Sequence, residues 1–493
     1  MESYILALDQ GTTSSRAIVF DRAGGQRSVY QKEFRQIYPQ PGWVEHDPEE
    51  IWETQLLAAR EALKRASLGP EQIAAIGITN QRETVVFWER ESGRALGNAI
   101  VWQCRRTADL CAGLKERGLE EKVTAKTGLL LDPYFSGTKI SWLLSRRPEL
   151  REGAEAGELC CGTIDSWLLF RLTGRHLTEP SNASRTLLYN IHDSCWDAEL
   201  LDLFDIPSSL LPEVVPTCSD FGRTRRELFG DEIMVGGVAG DQQAALFGQA
   251  CFEAGDAKNT YGTGCFTLLN TGREPVASKN RLLTTITWDL GDGPEYALEG
   301  SVFIAGAAIQ WLRDELGLIA ASAESESLAA SVDDNGGVYF VPAFVGLGAP
   351  HWDPRVRGAV LGLTRGSGRA ELTRAALESI AYQSCDLIDC LEKDAGRRVE
   401  TLKVDGGASL NGFLMQFQAD ILGIPVQLPA VAETTALGAA YLAGLSCGFF
   451  RDREEIAANW RLRKEYTPAL EPARRQELLT GWRKALQATR SFI

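Results

Sequence analysis

The sequence predicts an α/β protein whose two halves repeat one design on either side of a cleft. Three observations predict it. Residues 4–20, YILALDQGTTSSRAIVF, set two apolar β-rich runs, Tyr4–Leu8 and Ala17–Phe20, around a polar turn. That is the pattern of a β-hairpin, not of a strand entering a helix. The pattern restarts later, where Asn259–Phe266, NTYGTGCF, is again a Gly/Thr turn between β-rich runs. Between the two, a small-residue strand, Val235–Gly240, delivers Asp241 to the start of a helix, which places a carboxylate at the floor between the halves. A chain of 493 residues suits two or more domains. The division is expected at 1–250 and 251–493, with a helical tail after about 451.

In the first hairpin, Gly11 lets the backbone turn tightly. Thr12, Thr13 and Ser14 supply hydroxyls and main-chain N–H groups that suit phosphate oxygens. Asp9, at the end of a buried strand, is a hard oxygen ligand able to face a magnesium ion carried by a nucleotide. Neither G-x-x-x-x-G-K-[ST] nor a strand followed by G-x-G-x-x-G occurs, so a nucleotide here is cradled by a hairpin and not by a P-loop. A plain turn capped by small polar residues is the alternative.

Pro39–Pro48 is a turn-rich loop. Asp47, Pro48 and Glu50 mark a helix start, and Ile51, Trp52, Leu56, Leu57 and Leu63 carry helical spacing through Glu49–Ala66. Ile73–Ile78 and Thr84–Trp88 read as strands. The polar Thr79–Glu83 segment between them crowds a strand end, where open α/β sheets hold ligands. Arg82 and Glu83 there offer donors and acceptors for a polyol, or form a solvated turn. Ala99–Trp102 is a strand ending in an indole, with a helix from about Arg105. Trp102 is either core or a flat apolar face over a short carbon chain. Leu129–Leu131 leads into Asp132–Gly137, a loop carrying the Tyr134 phenol. Thr163–Leu169 and Arg185–Tyr189 are strand or helix pieces of the same domain, and Pro207–Pro216 is a connector.

Asp241 is either a helix N-cap or a base able to accept a hydroxyl proton, kept ionised by the helix N-terminus. Thr263 sits on the second hairpin turn. Ser301–Leu316 reads as an apolar helix in which Gly306 costs about 1 kcal/mol against alanine, so something flat packs close. Val338–Phe344 is a strand, Gly346–Pro354 a loop and Ala370–Leu391 a long amphipathic helix. Leu402–Asp405 is a strand ending in Gly406-Gly407-Ala408-Ser409. Asn411–Leu422 is a helix stopped by Gly423. That strand, turn and helix start form an anion- or purine-edge site. Ala432–Ile493 reads as helical throughout, peripheral after about Arg451.

Composition narrows the function. The net charge of −15, with no basic run, argues against nucleic acid and anionic membrane as partners. The start, MESYILALDQ, has no basic n-region. The longest uncharged apolar stretch, Ala436–Phe450, fits a buried helix better than a membrane span. Eleven cysteines without a C-x-x-C motif read as reduced thiols of a cytoplasmic protein. The four histidines, His46, His176, His192 and His351, do not cluster, which disfavours a histidine-based metal site.

A nucleotide-cradling hairpin resembles the actin/hexokinase superfamily. The stretches ALDQGTTSSRA, QIYPQPGWVEHDP, ITNQRET, IVWQCRRTA, DPYFSGTK, GVAGDQQAALFGQ, KNTYGTGCF, FVGLGAPHWDP, GLTRG and DGGASLNGFLMQFQADILG resemble the FGGY carbohydrate kinase family, in its glycerol-phosphorylating branch. The likeness runs from about residue 4 to 485. It implies two ribonuclease-H-like domains flanking an ATP cleft, and transfer of the ATP γ-phosphoryl group to glycerol with Mg2+. It implies a glycerol site of Arg82, Glu83, Trp102, Tyr134, Asp241, Gln242 and Phe266, with Asp241 as the base. It implies a nucleotide site of Thr12, Thr13, Ser14, Arg16, Thr263, Gly306, Gln310, Gly407 and Asn411, with Asp9 beside the metal. A homo-oligomer, dimer or tetramer, goes with it. Ser219–Val235 lacks both the Gly-rich basic loop for fructose 1,6-bisphosphate and a histidine for phosphotransferase control. Arg474 stands where some relatives carry a glutamate. Two other functions fit less of the sequence. One is an FGGY kinase for a pentulose or hexulose, and the other an actin-like ATPase with no metabolite acceptor.

Overall fold

The computed structural model describes residues 2–353 and 355–492. Met1, Ile493 and Pro354, the last residue of the expected Gly346–Pro354 loop, lie outside them. Two large sheets organise the chain. The first has five strands in the order Val235–Gly240, Ile73–Asn80, Tyr4–Gln10, Ser14–Phe20 and Gln26–Glu33. The second has seven, in the order Leu283–Asp289, Pro294–Val302, Cys265–Gly272, Ala257–Tyr261, Leu402–Asp405, Val426–Pro429 and Leu462–Tyr466.

The echo between the two hairpins is an echo of topology. Tyr4–Gln10 pairs antiparallel with Ser14–Phe20 and parallel with Ile73–Asn80. Ala257–Tyr261 likewise pairs antiparallel with Cys265–Gly272 and parallel with Leu402–Asp405. Each half is thus a hairpin extended by parallel strands, with helices on the sheet faces.

Helix Thr434–Ser446, late in the chain, packs on the first sheet. Gly77 and Gly237 leave no room for a side chain, since a Cβ at either would stand 2.1 Å from the Ala439 carbonyl oxygen or 2.4 Å from the Ala443 nitrogen. The helix also crosses Asp241–Gly248 at two glycines: a Cβ on Gly438 would lie 1.8 Å from the Ala244 carbonyl, and one on Gly248 2.0 Å from the Thr434 carbonyl. These glycines are therefore contact surfaces between segments far apart along the chain. Gly438→Ala is expected to destabilise the fold by at least ~1–3 kcal/mol through overpacking against backbone that cannot yield, read by urea denaturation.

Several local expectations change. Helix Pro48–Ala66 is capped by Asp47, whose carboxylate accepts the Glu49 N–H at 2.9 Å, but Glu50 reaches back to the Arg35 N–H instead. The strand at 99 is only Ala99–Ile100 and the following helix begins at Ala108, because the intervening chain turns to present Trp102. The segment expected as helix from Ser301 is still strand through Val302, and the helix spans Gly306–Asp314. Gly306 is thus the first residue of its helix, pressed so close to the Gly262 carbonyl that a Cβ would lie 2.6 Å from it. The tail is not wholly helical: Leu462–Tyr466 pairs antiparallel with Val426–Pro429 as an edge strand. Four of its five side chains are exposed, so no buried alternation marked it in the sequence.

Candidate active site

Three polar segments meet at the carboxyl ends of the parallel strands of the first sheet. Strand register puts Gln10, Asn80 and Gly240 abreast. Gln81 ties the first turn to the segment after it, donating its N–H to the Gln10 carbonyl at 2.7 Å and its side-chain amide to the Gly11 carbonyl at 3.1 Å. Within the turn, the Gly11 N–H bonds the Ser14 carbonyl at 2.9 Å. Thr13 is exposed. Thr12 Oγ1 accepts the Trp102 indole N–H at 3.0 Å, and Ser14 Oγ accepts from Gln31 at 2.8 Å. Arg16 stands opposite Asp9 in register and pairs with its Oδ2 at 2.9 Å. It also pairs with Glu433, just before helix Thr434–Ser446.

Arg82 lies across the strand end, where Gly240 makes room: a Cβ there would stand 2.7 Å from Arg82 Cδ. Its guanidinium is held by three partners through four contacts. Nε meets Asp241 Oδ1 at 3.1 Å, and Nη1 and Nη2 grip Glu299 bidentately at 2.6 and 2.9 Å. Nη1 also donates to Gln243 Oε1 at 3.1 Å. Glu83 has a positive φ of 61°, a strained conformation for a non-glycine residue. Its carbonyl accepts from Ser136 Oγ at 3.0 Å and its carboxylate from Arg185 Nε at 2.7 Å. Arg185 in turn reaches Glu299 at 3.1 Å and lies over the rings of Tyr134 and Phe135. Burial alone would raise Glu299, but Arg185 and Arg82 outweigh it and hold its carboxyl at about 2.

Asp241 is the first residue of its helix, and Gly240 is the cap. Its Oδ1 accepts the Gln242 N–H at 2.7 Å and lies in ion-pair contact with Arg82 Nε at 3.1 Å. Oδ2 has no hydrogen bond among the described residues, and 33% of the side chain is open. The enclosing protein raises its pKa by desolvation, opposed by Arg82 and Lys258.

An aromatic wall faces these charges. Trp102 meets Tyr134 edge-on at 5.5 Å and Phe266 at 6.4 Å. The Tyr134 loop is clamped by buried Lys139, which donates to the carbonyls of Pro133, Tyr134 and Phe135 at 2.7, 2.6 and 3.1 Å. All seven residues expected at the polyol site therefore belong to one connected cluster, and Phe266 comes to it from the second sheet.

Of the remaining nucleotide candidates, Thr263 is on the turn of the second hairpin, Gly306 starts a helix packed against that turn, and Gly407 and Asn411 follow the neighbouring parallel strand Leu402–Asp405. The Thr263 carbonyl accepts the Ala307 N–H at 3.1 Å, and the Gly262 carbonyl accepts the Gly306 N–H at 3.0 Å. Gln310 is exposed one turn on. Gly406 needs its positive φ of 86° beside Tyr261, where a Cβ would stand 2.5 Å from the carbonyl, and the space over Gly407 is open. Asn411 caps the next helix, accepting the Leu414 N–H and donating to Ser325. The two turns are bridged by one helix end: Glu433 pairs with Arg16, and Thr434 Oγ1 donates to Asp405, the residue before Gly406, at 2.8 Å.

Arg185, Gln243, Lys258, Glu299 and Lys139 escaped the sequence reading. For Glu299 the signal was there, an acid set inside the apolar run YALEGSV, while the strand's other acid, Glu295, stands near its start. Arg185 and Lys139 carry no such mark, since their partners are far away in sequence or are main-chain carbonyls.

Two family models match the chain: FGGY family of carbohydrate kinases, N-terminal domain, over residues 4–248, and C-terminal domain over 257–447. The chain is 60% identical to a glycerol kinase of Symbiobacterium thermophilum over 493 residues, covering 100% of this chain and 99% of the relative. It is 58% identical to glycerol kinase 2 of Thermotoga maritima, covering 98% of each. Among solved structures it is similar to Plasmodium falciparum glycerol kinase with ADP, with a TM-score of 0.93 and 36% identity over 99% of this chain and 98% of that one. A xylulose kinase from Lactobacillus acidophilus, at 24% identity and a TM-score of 0.88, covering 99% and 98%, shares the fold.

Proposed function

The chain belongs to the FGGY family of carbohydrate kinases, and from that premise we propose that it transfers the γ-phosphoryl group of ATP to glycerol, giving sn-glycerol 3-phosphate and ADP. One observation carries the choice of acceptor. The Arg82–Glu83–Asp241–Gln242 cluster faces the Trp102–Tyr134–Phe266 wall, so hydroxyls can be paired on one side while carbons are covered on the other. Glu83 has one carboxylate oxygen engaged by Arg185, and the other is available to a hydroxyl. A site built to bond each hydroxyl rejects analogues that lack one.

Asp241 Oδ2 takes the proton of the attacking hydroxyl, while Arg82 and the Gln242 N–H hold Oδ1 and fix the carboxylate plane. Phosphoryl transfer asks chiefly for positioning and charge neutralisation. The hydroxyls and N–H groups of Thr12, Thr13 and Ser14 would receive the phosphates. The Thr263, Gly306, Gln310, Gly407 and Asn411 surface would receive the rest of the nucleotide. The bond from Trp102 to Thr12 couples acceptor wall and donor turn directly.

Among the described residues there is no cluster of three or more His, Cys, Asp or Glu side chains able to hold a metal. Asp9 has one oxygen paired to Arg16 and one left. That fits Mg2+, which arrives on nucleotide phosphates and needs only one or two carboxylates; Asp9 would hold it, and it would supply charge neutralisation on the phosphates. The same reading divides the protein near residue 250 into a glycerol-and-phosphate half and an adenine half. It also has the enzyme act as a homo-oligomer in the cytoplasm. Among the described residues no helix is long and apolar enough to cross a membrane.

A coupled ADP-release assay tests the function. ADP should form with glycerol and Mg2+-ATP, and sn-glycerol 3-phosphate should accumulate with it. Faster turnover on xylulose or gluconate would reject glycerol as the acceptor, and acceptor-independent hydrolysis would favour an ATPase.

A further inference from the structure

Lys258 lies behind the catalytic carboxylate and is not itself a position expected to meet a ligand, but it bonds two residues that are, Gln242 and Phe266. It sits on the strand Ala257–Tyr261 and its side chain is buried. Its ammonium donates to Gln242 Oε1, to Thr260 Oγ1 at 2.9 Å and to the Phe266 carbonyl at 3.4 Å. An ammonium has three donors and no acceptor, so all three are spent inside the protein. We infer that Lys258 is a positioning residue that fixes the Gln242 side-chain amide, so that its NH2 group and not its carbonyl faces the acceptor hydroxyls. The inference rests on the glycerol site proposed above.

The geometry leaves Gln242 one orientation. Only the amide oxygen can accept from Lys258, and Nε2, with no hydrogen bond among the described residues, is the free end. Beside it Asp241 offers only acceptor capacity. A donor next to an acceptor matches two neighbouring hydroxyls, one giving a proton to Asp241 and the other accepting from Gln242. Were the amide reversed, its oxygen would stand near the Asp241 carboxylate and two acceptors would compete for hydroxyl protons. The charged groups around Lys258 are Asp405, Asp241, Glu299 and Arg82. Burial lowers the Lys258 pKa to about 8, against the pull of the three acids. The ammonium, which can only donate, forces the amide orientation at pH below that value; the neutral amine formed above it gains a lone pair that can accept from Nε2, so the orientation is no longer forced.

Glycerol KM and kcat, measured in wild type, Lys258→Met, Gln242→Leu and the double variant, decide the matter. Lys258→Met should raise the glycerol KM about 10-fold, the scale of one misdirected hydrogen bond, with the ATP KM unchanged and kcat altered less. In the Gln242→Leu background the same change should add nothing, because positions that act through one another are not additive. In wild type the glycerol KM should climb above pH 8, and Gln242→Leu should abolish the climb; this arm needs no Lys258 variant to fold. Additive effects, or a climb that persists in Gln242→Leu, overturn the inference. A Gln242→Leu enzyme with wild-type glycerol KM overturns the placement of Gln242 at the substrate instead.

Discussion

Asp241→Asn is expected to lower kcat by on the order of 10²–10⁴-fold with glycerol binding changed far less, the usual worth of a positioned general base. The amide keeps the shape, and its oxygen can still accept the Gln242 N–H and lie beside Arg82 Nε as Oδ1 does. It cannot take a hydroxyl proton at the atom facing the cleft. Steady-state kinetics over a range of glycerol concentrations separates the two parameters. Near wild-type turnover would reduce Asp241 to a first-turn helix residue. The pH profile carries the same information. Desolvation raises the Asp241 pKa above the ordinary carboxylate value, and the base works only when deprotonated. Wild-type kcat should therefore fall on the acid side, at a pH above that of a free aspartate, and that limb should vanish in Asp241→Asn.

Glu299→Ala is expected to cost about 3–5 kcal/mol of stability, the range for removing one partner from a buried ion pair. Glu299, Arg82 and Arg185 are all buried. The carboxylate bonds both nitrogens of Arg82 and one of Arg185, so its loss leaves two guanidinium groups facing each other with less compensation. Arg185 already has one buried nitrogen, Nη1, without a hydrogen bond. Denaturant unfolding measures the loss; a change under 1 kcal/mol would show that the remaining acids suffice. Linkage gives a second readout. The folded-state pKa of Glu299, about 2, lies below the ordinary value. Its contribution is therefore fully present above that ordinary value and is lost as pH falls toward 2. Glu299→Gln should lack this acid-dependent component. Arg82 also reaches Asp241, so both variants should weaken catalysis as well as folding.

Local chemistry made much of this protein readable. Each hairpin is two β-rich runs around a Gly/Thr turn, and both formed where the runs lie. Val235–Gly240 leading into Asp241–Gly248 was legible because a run of small residues and an acid at a helix start are features of neighbouring residues. The helix start at Gly306 was misplaced because Ser301 and Val302 suit either state, and the decision came from pairing with Phe266 and Cys265 across the sheet. The glycines at 77, 237, 248 and 438 carry no mark of their partners in the neighbouring residues. They are close contacts with segments far along the chain.

By itself the sequence determined the two hairpins and the strand-to-helix delivery of Asp241, because each depends on side chains within a few positions of one another. Only the tertiary structure decided how those groups are charged and oriented. Glu299 and Lys258 reach Arg82 and Gln242 from the second sheet, and Arg185 reaches Glu83 from 102 positions along the chain. Electrostatic pairing acts through space, over a few ångströms, between residues that chain spacing does not relate.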